Sequence, residues 1–408
     1  MLVNSCRCCE NKTLKSVISL GMSPLANNLL NDGLQQDELF PLEMLYCPEC
    51  HYCQLSCVVP PEKLFDTYLY TSSTTKSFRN HFEKAAESYV KRFNLTSNSY
   101  VLDIGCNDGI ALMPLKDLNI NVIGVDPAAN IVKLTREKGI ETIHGYFDET
   151  IVDDVLNKYG KIDLITASNV FAHSADIKQI TNSVFKLLKE DGCFIIEAQY
   201  LYDTINDLTF DNIYHEHVSY WSVTSIVNFF TNLGYSVVDV EHIDTHGGSI
   251  RVYVKNKNKE VSPNVFSFLQ KEKEFGLTEF EVYKNFANKI QQVKTNVKNN
   301  FDKFKNLGLK IVGYASPAKA TTSLNYYQID NNYIDYIIED NNFKHGKLLP
   351  GVRIPICSKE TLSSNPPDII VIMAWNFAEE IKKNNTDLLL RGIKMISIKD
   401  LQVDYNIT

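Results

Sequence analysis

The chain has 408 residues, 44% of them hydrophobic, and 41 lysines and arginines against 49 aspartates and glutamates leave a formal net charge of −8. That length predicts two or three domains; the acidic balance argues against a general nucleic-acid binder, which needs a basic face; and no apolar run approaches the ~20 residues of a bilayer span. Met1-Leu2-Val3-Asn4-Ser5 has none of the marks of a secretory leader, so a cytoplasmic protein with no membrane or nucleic-acid partner is expected, and its ten cysteines call for a role other than disulfides.

Seven of those cysteines precede residue 58: Cys6, Cys8, Cys9, Cys47, Cys50, Cys53 and Cys57. Cys6-x2-Cys9 and Cys47-x2-Cys50 are two knuckles whose spacing lets paired thiolates reach one tetrahedral Zn²⁺. The long loop between them costs little once the metal is bound. Cys8, Cys53, Cys57 and His51 compete as ligands, with Cys8 the serious rival to Cys9, and the alternative is a set of buried free thiols. The spacing favours Cys6, Cys9, Cys47 and Cys50. Four thiolates leave no open position for water, so the metal is expected to be structural.

Pro60-Pro61 marks a turn, and residues 68–75, which include Tyr68 and Tyr70, are polar and aromatic without a clean period. Such a stretch either lies across the mouth of a ligand site or simply connects. Residues 77–93 read as an amphipathic helix feeding Val101-Leu102-Asp103-Ile104-Gly105-Cys106-Asn107-Asp108-Gly109. A buried parallel strand, a tight loop and a helix start, here over 110–117, make a site for a nucleotide-like ligand. Gly105 and Gly109, flanking Asn107, let the backbone approach that ligand. The glycine spacing is neither G-x-G-x-x-G nor G-x-x-x-x-G-K-S/T. Asp103 and Asp108 would repel a pyrophosphate and welcome an ammonium or sulfonium, which disfavours an NAD fold. About twenty residues on, 121–126 reads as a second strand ending in Asp126, placed to accept from both hydroxyls of a ribose.

The core then alternates as a doubly wound sheet does. A helix over 130–138 and a strand over 141–144 lead to Tyr146 and Phe147, either of which could cover an adenine. A helix over 151–158 precedes a strand over 161–167 that ends at Asn169 and His173. A helix over 176–189 leads to a strand over 193–197. Ligands collect at the carboxyl ends of such strands, where Gly105, Asp126, Asn169, His173 and residues 197–200 fall. Tyr214-His215-Glu216-His217 comes next. His-x-His on one strand lacks the i, i+4 spacing of helical zinc sites. It reads better as a general base beside a carboxylate that fixes and charge-matches it. Residues 233–243 and 246–254, with His246-Gly247-Gly248 in the turn, read as a closing antiparallel hairpin.

Residues 255–263 form a charged, Asn-rich linker, and 265–307 read as one helix with Phe286, Ile290, Val293, Val297, Phe301 and Phe304 at helical spacing. A second α/β unit starts at 310–314. Its turn, 315–322, offers small residues, hydroxyls and Lys319 at a helix start, which suits a phosphate. Strands are expected over 333–339 and 368–373, the latter ending at Trp375 and Asn376. The domains are thus drawn at 1–75, 76–258 and 259–408.

VLDIGCNDG resembles motif I of the class I methyltransferases that use S-adenosylmethionine, a resemblance that lays Gly105 under the methionine part and gives the ribose to Asp126. With the other motifs in order, the whole chain resembles the zinc-containing C-methyltransferases of nucleotide-linked deoxysugars. The match runs through both knuckles, Tyr-x-Tyr-x-Ser, VLDIGCNDG, NVFAH, YHEH, HGGSIRV, GYASPAK and AWNF. It implies a class I methyltransferase Rossmann-like core with an N-terminal zinc-binding domain and a C-terminal second Rossmann-like α/β domain, S-adenosylmethionine and structural Zn²⁺ as cofactors, and a monomer. The implied reaction, in deoxysugar biosynthesis, removes the C3 proton of a nucleotide-linked 4-keto sugar (TDP-, or else GDP- or CDP-linked) and methylates the enolate. Carried over, YHEH makes His217 the base, Glu216 its orienting partner and Tyr214 a hydrogen-bond donor. His173 and Tyr70 go to the sugar, with Tyr68 as the alternative to Tyr70. Asp103, Asn107, Gly109, Tyr146, Phe147 and Asn169 complete the donor site. Ser316, Ala318 and Lys319, with Trp375 and Asn376, hold the nucleotide. Ala320 stands where the family often has glycine after the lysine. An O- or N-methyltransferase and a non-catalytic zinc-containing binding protein are the competing expectations.

Overall fold

The computed structural model describes residues 1–65, 76–245, 247–257 and 259–406. Tyr68, Tyr70 and His246 lie outside the described residues. No helix among the described residues is long and apolar enough to cross a membrane.

Strands β1 (Lys15–Pro24), β2 (Leu39–Tyr46) and β3 (Cys53–Leu55) form an antiparallel meander. The central sheet begins with β4 (Tyr100–Ile104), β5 (Asn121–Asp126), β6 (Glu141–His144), β7 (Ile162–Ser168) and β8 (Leu188–Gln199). The chain then returns to the meander as β9 (Ser219–Tyr220), which pairs with β3, before adding the hairpin β10 (Tyr235–Ile243) and β11 (Ser249–Asn256). The central order is β10-β11-β8-β7-β4-β5-β6. From β8 to β6 the strands are parallel, and β11 runs antiparallel to β8. β4 reads V-L-D-I without alternation because both of its faces are covered. The strand order reverses between β4 and β7, and the crevice outside their carboxyl ends is the place for a ligand in such a sheet.

The third sheet is wholly parallel: β12 (Ile311–Tyr314), β13 (Ile337–Ile338), β14 (Ile356–Cys357), β15 (Ile369–Ile372) and β16 (Lys394–Ser397), ordered β14-β13-β12-β15-β16. Its reversal lies between β12 and β15. β13 is shorter than the strand expected over 333–339.

The helix expected over 265–307 is two. Pro263–Phe275 ends at Gly276, whose φ of 88° is left-handed, and Phe280–Asn306 restarts after it. A glycine in that conformation closes a helix. The second helix buries Tyr283, Phe286, Ile290, Val293, Val297, Phe301 and Phe304 on one face. That face shares a core with Met44 and Leu55 of the meander, with Ile311 of the third sheet and with Leu324 of helix Ala318–Tyr327. Helix Lys76–Phe93 buries Phe78, Phe82, Ala85, Ala86 and Tyr89 on one stripe.

Candidate active site

The four knuckle sulfurs converge. Cys6 Sγ lies 3.5 Å from Cys50 Sγ and Cys9 Sγ 3.5 Å from Cys47 Sγ, and all four lie within 4.8 Å of one another. Four thiolates at ~2.3 Å from one tetrahedral Zn²⁺ stand about 3.8 Å apart, so the set fits the metal. Cys8 is outside it, and His51 Nδ1 is taken by the Tyr46 hydroxyl at 2.7 Å.

Both switch points open into one cavity of about 1440 Å³. Asp103, Gly105, Asn107, Asp126, Tyr146, Phe147 and Asn169 line its central-sheet end. Asp126 sits at the tip of β5. One carboxylate oxygen accepts from the Asn107 N–H at 2.9 Å and the other from the Ala128 N–H at 2.9 Å. Each oxygen keeps a second acceptor site, so a ribose diol can still be held. Asp103 accepts from Thr166 Oγ1 at 2.6 Å. Burial, resisted by that bond, pushes its carboxyl up to about 7, and a cation entering the site would draw it back down. Gly105, Asn107 and Asn169 all adopt positive φ. A Cβ on Gly105 would lie 2.5 Å from Val170 Cγ2. Gly109 behaves differently from the expectation: it is not on the cavity wall, and a Cβ there would strike Ile140 Cδ1 at 2.5 Å. Its bareness serves packing under the loop.

His173, Tyr214, Glu216 and His217 line the middle of the cavity. Tyr214-His215-Glu216-His217 is a tight turn, closed by the His217 N–H on the Tyr214 carbonyl at 2.9 Å, and not the strand expected. The turn folds Tyr214 back so that its hydroxyl lies 2.7 Å from His217 Nε2. Nδ1 of the same ring lies 2.9 Å from the Asn212 carbonyl. A carbonyl can only accept, so Nδ1 carries the proton and Nε2 the lone pair. The ring is thus gripped by Asn212 and Tyr214, whereas the neighbouring Glu216, expected to orient it, accepts from Asn27 Nδ2 at 2.6 Å. His173 stacks on His217 with centroids 5.1 Å apart. Its Nε2 is buried with no hydrogen-bond partner among the described residues, and burial pushes the ring down to about 4. His215 turns away, toward the Pro41 carbonyl at 3.3 Å.

At the third-sheet end, Ala318, Lys319 and Asn376 reach the cavity, and Ser316 and Trp375 stand behind its wall. The Ser316 N–H and hydroxyl both donate to one Glu339 oxygen, at 2.9 and 2.6 Å. The two Ser316 donors expected to meet a phosphate are therefore engaged by a carboxylate, whereas Ala318 and Lys319 line the cavity. Trp375 Nε1 donates to Asp211 at 2.6 Å, and the Nζ atoms of Lys319 and Lys399 are 4.6 and 4.4 Å from its ring centre. Burial lowers Lys319 to about 8, with the Asp211 charge opposing the fall.

Sequence reasoning did not reach Asn27, Asn212 or Asp211, nor the cluster that fixes the cavity's roof. There Glu197, at the end of β8, accepts from Arg251 Nε at 2.7 Å and meets His81 Nε2 at 2.8 Å. Burial alone would raise the Glu197 carboxyl, but His81 and Arg251 outweigh it and hold it below its ordinary value. The pairing ties helix Lys76–Phe93 to the sheet, so that Phe78, Arg79 and Phe82 face the cavity. No local pattern announces it, because the partners lie up to 170 positions apart.

Three family models cover most of the chain: a zinc binding domain over residues 6–65, a methyltransferase domain over 78–240 and a C-methyltransferase C-terminal domain over 244–398. C-methyltransferase NovU of Streptomyces niveus is 34% identical over 398 residues, which is 97% of this chain and 95% of that protein. Ubiquinone biosynthesis O-methyltransferase of Bradyrhizobium sp. (strain ORS 278) is 30% identical over 115 residues, 28% of this chain and 44% of its own. The solved structure of magnesium protoporphyrin IX methyltransferase (ChlM) from Synechocystis PCC 6803 with bound SAH is 14% identical, at a TM-score of 0.35 over 44% of this chain and 83% of that one. A relative matched over 97% of this chain, together with the three domain models, makes this chain a member of the C-methyltransferases, an S-adenosylmethionine-dependent enzyme with an N-terminal zinc-binding domain.

Proposed function

We propose that the enzyme methylates C3 of a nucleotide-linked 4-keto sugar. The observation that carries this reading is His217. It is an imidazole of fixed tautomer whose Nε2 accepts from the Tyr214 hydroxyl, and both residues line a cavity shared with a cation-accepting loop and a buried lysine. Carbon acids need such a base: a C–H alpha to a ketone is acidic enough for an imidazole near neutrality when a donor stabilises the enolate oxygen.

S-adenosylmethionine supplies an electrophilic methyl on a sulfonium. Asp126 would hold its ribose, Asp103 its ammonium, and Tyr146 and Phe147 its adenine, with Gly105, Asn107 and Asn169 shaping the loop. Gly109 supports that loop from below. His217 Nε2 takes the C3 proton, and the Tyr214 hydroxyl, released from Nε2 as the substrate enters, donates to the C4 oxygen. Neutral His173, with Nε2 unsatisfied, offers a hydrogen bond to the sugar. Tyr70, or Tyr68 in its stead, is assigned to the sugar by the sequence resemblance alone, and Glu216, held by Asn27, accepts from sugar hydroxyls. Lys319 faces the diphosphate, with Ala318 and Asn376 on the same wall and Ser316 and Trp375 bracing it. The units drawn at 1–75, 76–258 and 259–408 then serve metal, methyl donor and nucleotide.

The test is incubation with labelled methyl donor and a panel of 4-keto and 4-hydroxy sugars linked to TDP, GDP and CDP, with products read by mass spectrometry and NMR. A new carbon–methyl bond at C3 of keto substrates alone is expected. Methyl found on oxygen or nitrogen would overturn the proposal.

A further inference from the structure

Arg7 stands inside the first cysteine knuckle, yet its side chain leaves it. Nη1 donates to the Ser174 carbonyl at 2.9 Å and to the Ala175 carbonyl at 3.2 Å. Nη2 donates to the Val218 carbonyl, to the Tyr52 hydroxyl at 2.7 Å and to Ser219 Oγ at 3.0 Å. The Tyr52 hydroxyl in turn donates to Ser219 Oγ at 2.6 Å. Ser174 directly follows His173, and Val218 directly follows His217. One guanidinium therefore spans the two segments that present the stacked histidines, although these are 44 positions apart in the chain and come from different elements. The Arg7 backbone is pinned as well: its N–H donates to Gln54 Oε1 at 2.9 Å, and Gln54 pairs with Ser219 across β3 and β9.

We propose that Arg7 is a positioning residue: it sets the spacing of His173 and His217 from the zinc knuckle, and through it the metal centre bears on catalysis. The proposal rests on the reading that these histidines meet the substrate. A planar fork with several donors can bridge carbonyls on two segments, whereas a lysine ammonium is a point charge on a flexible stem and cannot reproduce that geometry. Gly105, Asn107 and Asp126 of the donor site lie on other loops and only Asn169 shares the segment of His173, so Arg7 should act on the histidines far more than on the methyl donor.

The experiment uses the full-length, zinc-loaded chain carrying Arg7→Lys or Arg7→Gln. A milder variant, Tyr52→Phe, removes one acceptor and leaves the knuckle intact. Zinc content, affinity for S-adenosylhomocysteine, the imidazole NMR signals of His173 and His217 (assigned with His173→Asn and His217→Asn), and kcat and KM on the accepted sugar nucleotide are read together. The expected result is unchanged zinc, S-adenosylhomocysteine affinity within about twofold, shifted signals for both histidines and a fall in kcat of roughly ten- to a hundredfold, the scale on which misplaced groups cost rate. Tyr52→Phe should move the same signals by less. Unmoved histidine signals would overturn the proposal. So would a parallel loss of zinc, donor affinity and kcat, which would make Arg7 a residue of the fold alone. The NMR readings need no substrate, so a failure of the sugar assignment is told apart from a failure of Arg7.

Discussion

The rings of His173 and His217 lie one over the other, 26° from parallel, but they are held in different ways. His217 has a partner at each nitrogen, while His173 Nε2 has none among the described residues. A base must keep one tautomer and one orientation through the reaction, and only His217 is gripped so as to do that. His217→Asn should therefore lower both methylation and C3 hydrogen–deuterium exchange by about 10²–10⁴, the usual cost of a lost general base. His173→Asn should raise KM more than it lowers kcat, and Glu216→Gln should cost less than His217→Asn. Exchange followed by NMR in D2O checks the order. A His217→Asn enzyme of near wild-type rate beside a dead His173→Asn enzyme would move the base to His173.

Burial holds His215, 1% exposed, near a pKa of about 4 against an ordinary 6.5. Between those values the unfolded chain binds a proton there that the folded chain refuses. Stability is therefore complete above about pH 6.5 and declines as pH falls toward 4, at up to ~1.4 kcal/mol per pH unit for each such histidine. Urea unfolding at fixed pH should show that slope, and His215→Gln should remove its share while that of His173 remains.

Much of this architecture was legible in the sequence. Uninterrupted V-L-D-I and N-V-I-G-V-D announce strands covered on both faces, and the knuckles announce their own geometry. The helix break was also written there, since Gly276 followed by Leu277-Thr278-Glu279 is a helix stop, but the apolar spacing on either side masked it. Two kinds of fact could not be read. The turn at Tyr214–His217 depends on β9 joining the N-terminal meander, a pairing of residues 53–54 with 219–220 that no local signal encodes. Capture of the Ser316 donors by Glu339 likewise depends on β13 lying beside β12. Local pattern gives elements; their partners come from topology.

The sulfur geometry fits one tetrahedral Zn²⁺, which would then be part of the fold. Elemental analysis should find close to one Zn²⁺ per chain, and Cys47→Ser should lower the melting temperature or solubility, because three thiolates leave the knuckles incompletely closed. A metal-free protein with an unchanged melting temperature would contradict this.

Asp126 holds the Asn107–Ala128 turn and, on the proposed reading, would also hold the ribose. Asp126→Asn keeps an acceptor but loses the charge, and hydrogen bonds to a charged group are worth ~1.5–3 kcal/mol. Calorimetry should find S-adenosylmethionine bound about ten- to a hundredfold more weakly, with the affinity for sugar nucleotide little changed.

Lys319 gives the sharpest pH test, because burial and a neighbouring carboxylate act on it in opposite directions. Burial lowers it to about 8 and Asp211 opposes that fall, while the Ser316 hydroxyl is occupied by Glu339. If Lys319 is the cation for the diphosphate, the protonated form binds and the neutral form does not. KM for the sugar nucleotide should be flat below about pH 7.5 and rise above pH 8 by up to tenfold per unit, as follows when one proton is linked to binding, while KM for S-adenosylmethionine stays level. Asp211→Asn removes the charge that favours the ammonium, so the rise should begin at lower pH. Lys319→Met should abolish the rise and leave KM high at every pH, by about ten- to a hundredfold for a lost charge-assisted contact. Steady-state kinetics from pH 6.5 to 9.5 on the three proteins decide it: a wild-type KM that is level through pH 9 would remove Lys319 from the diphosphate.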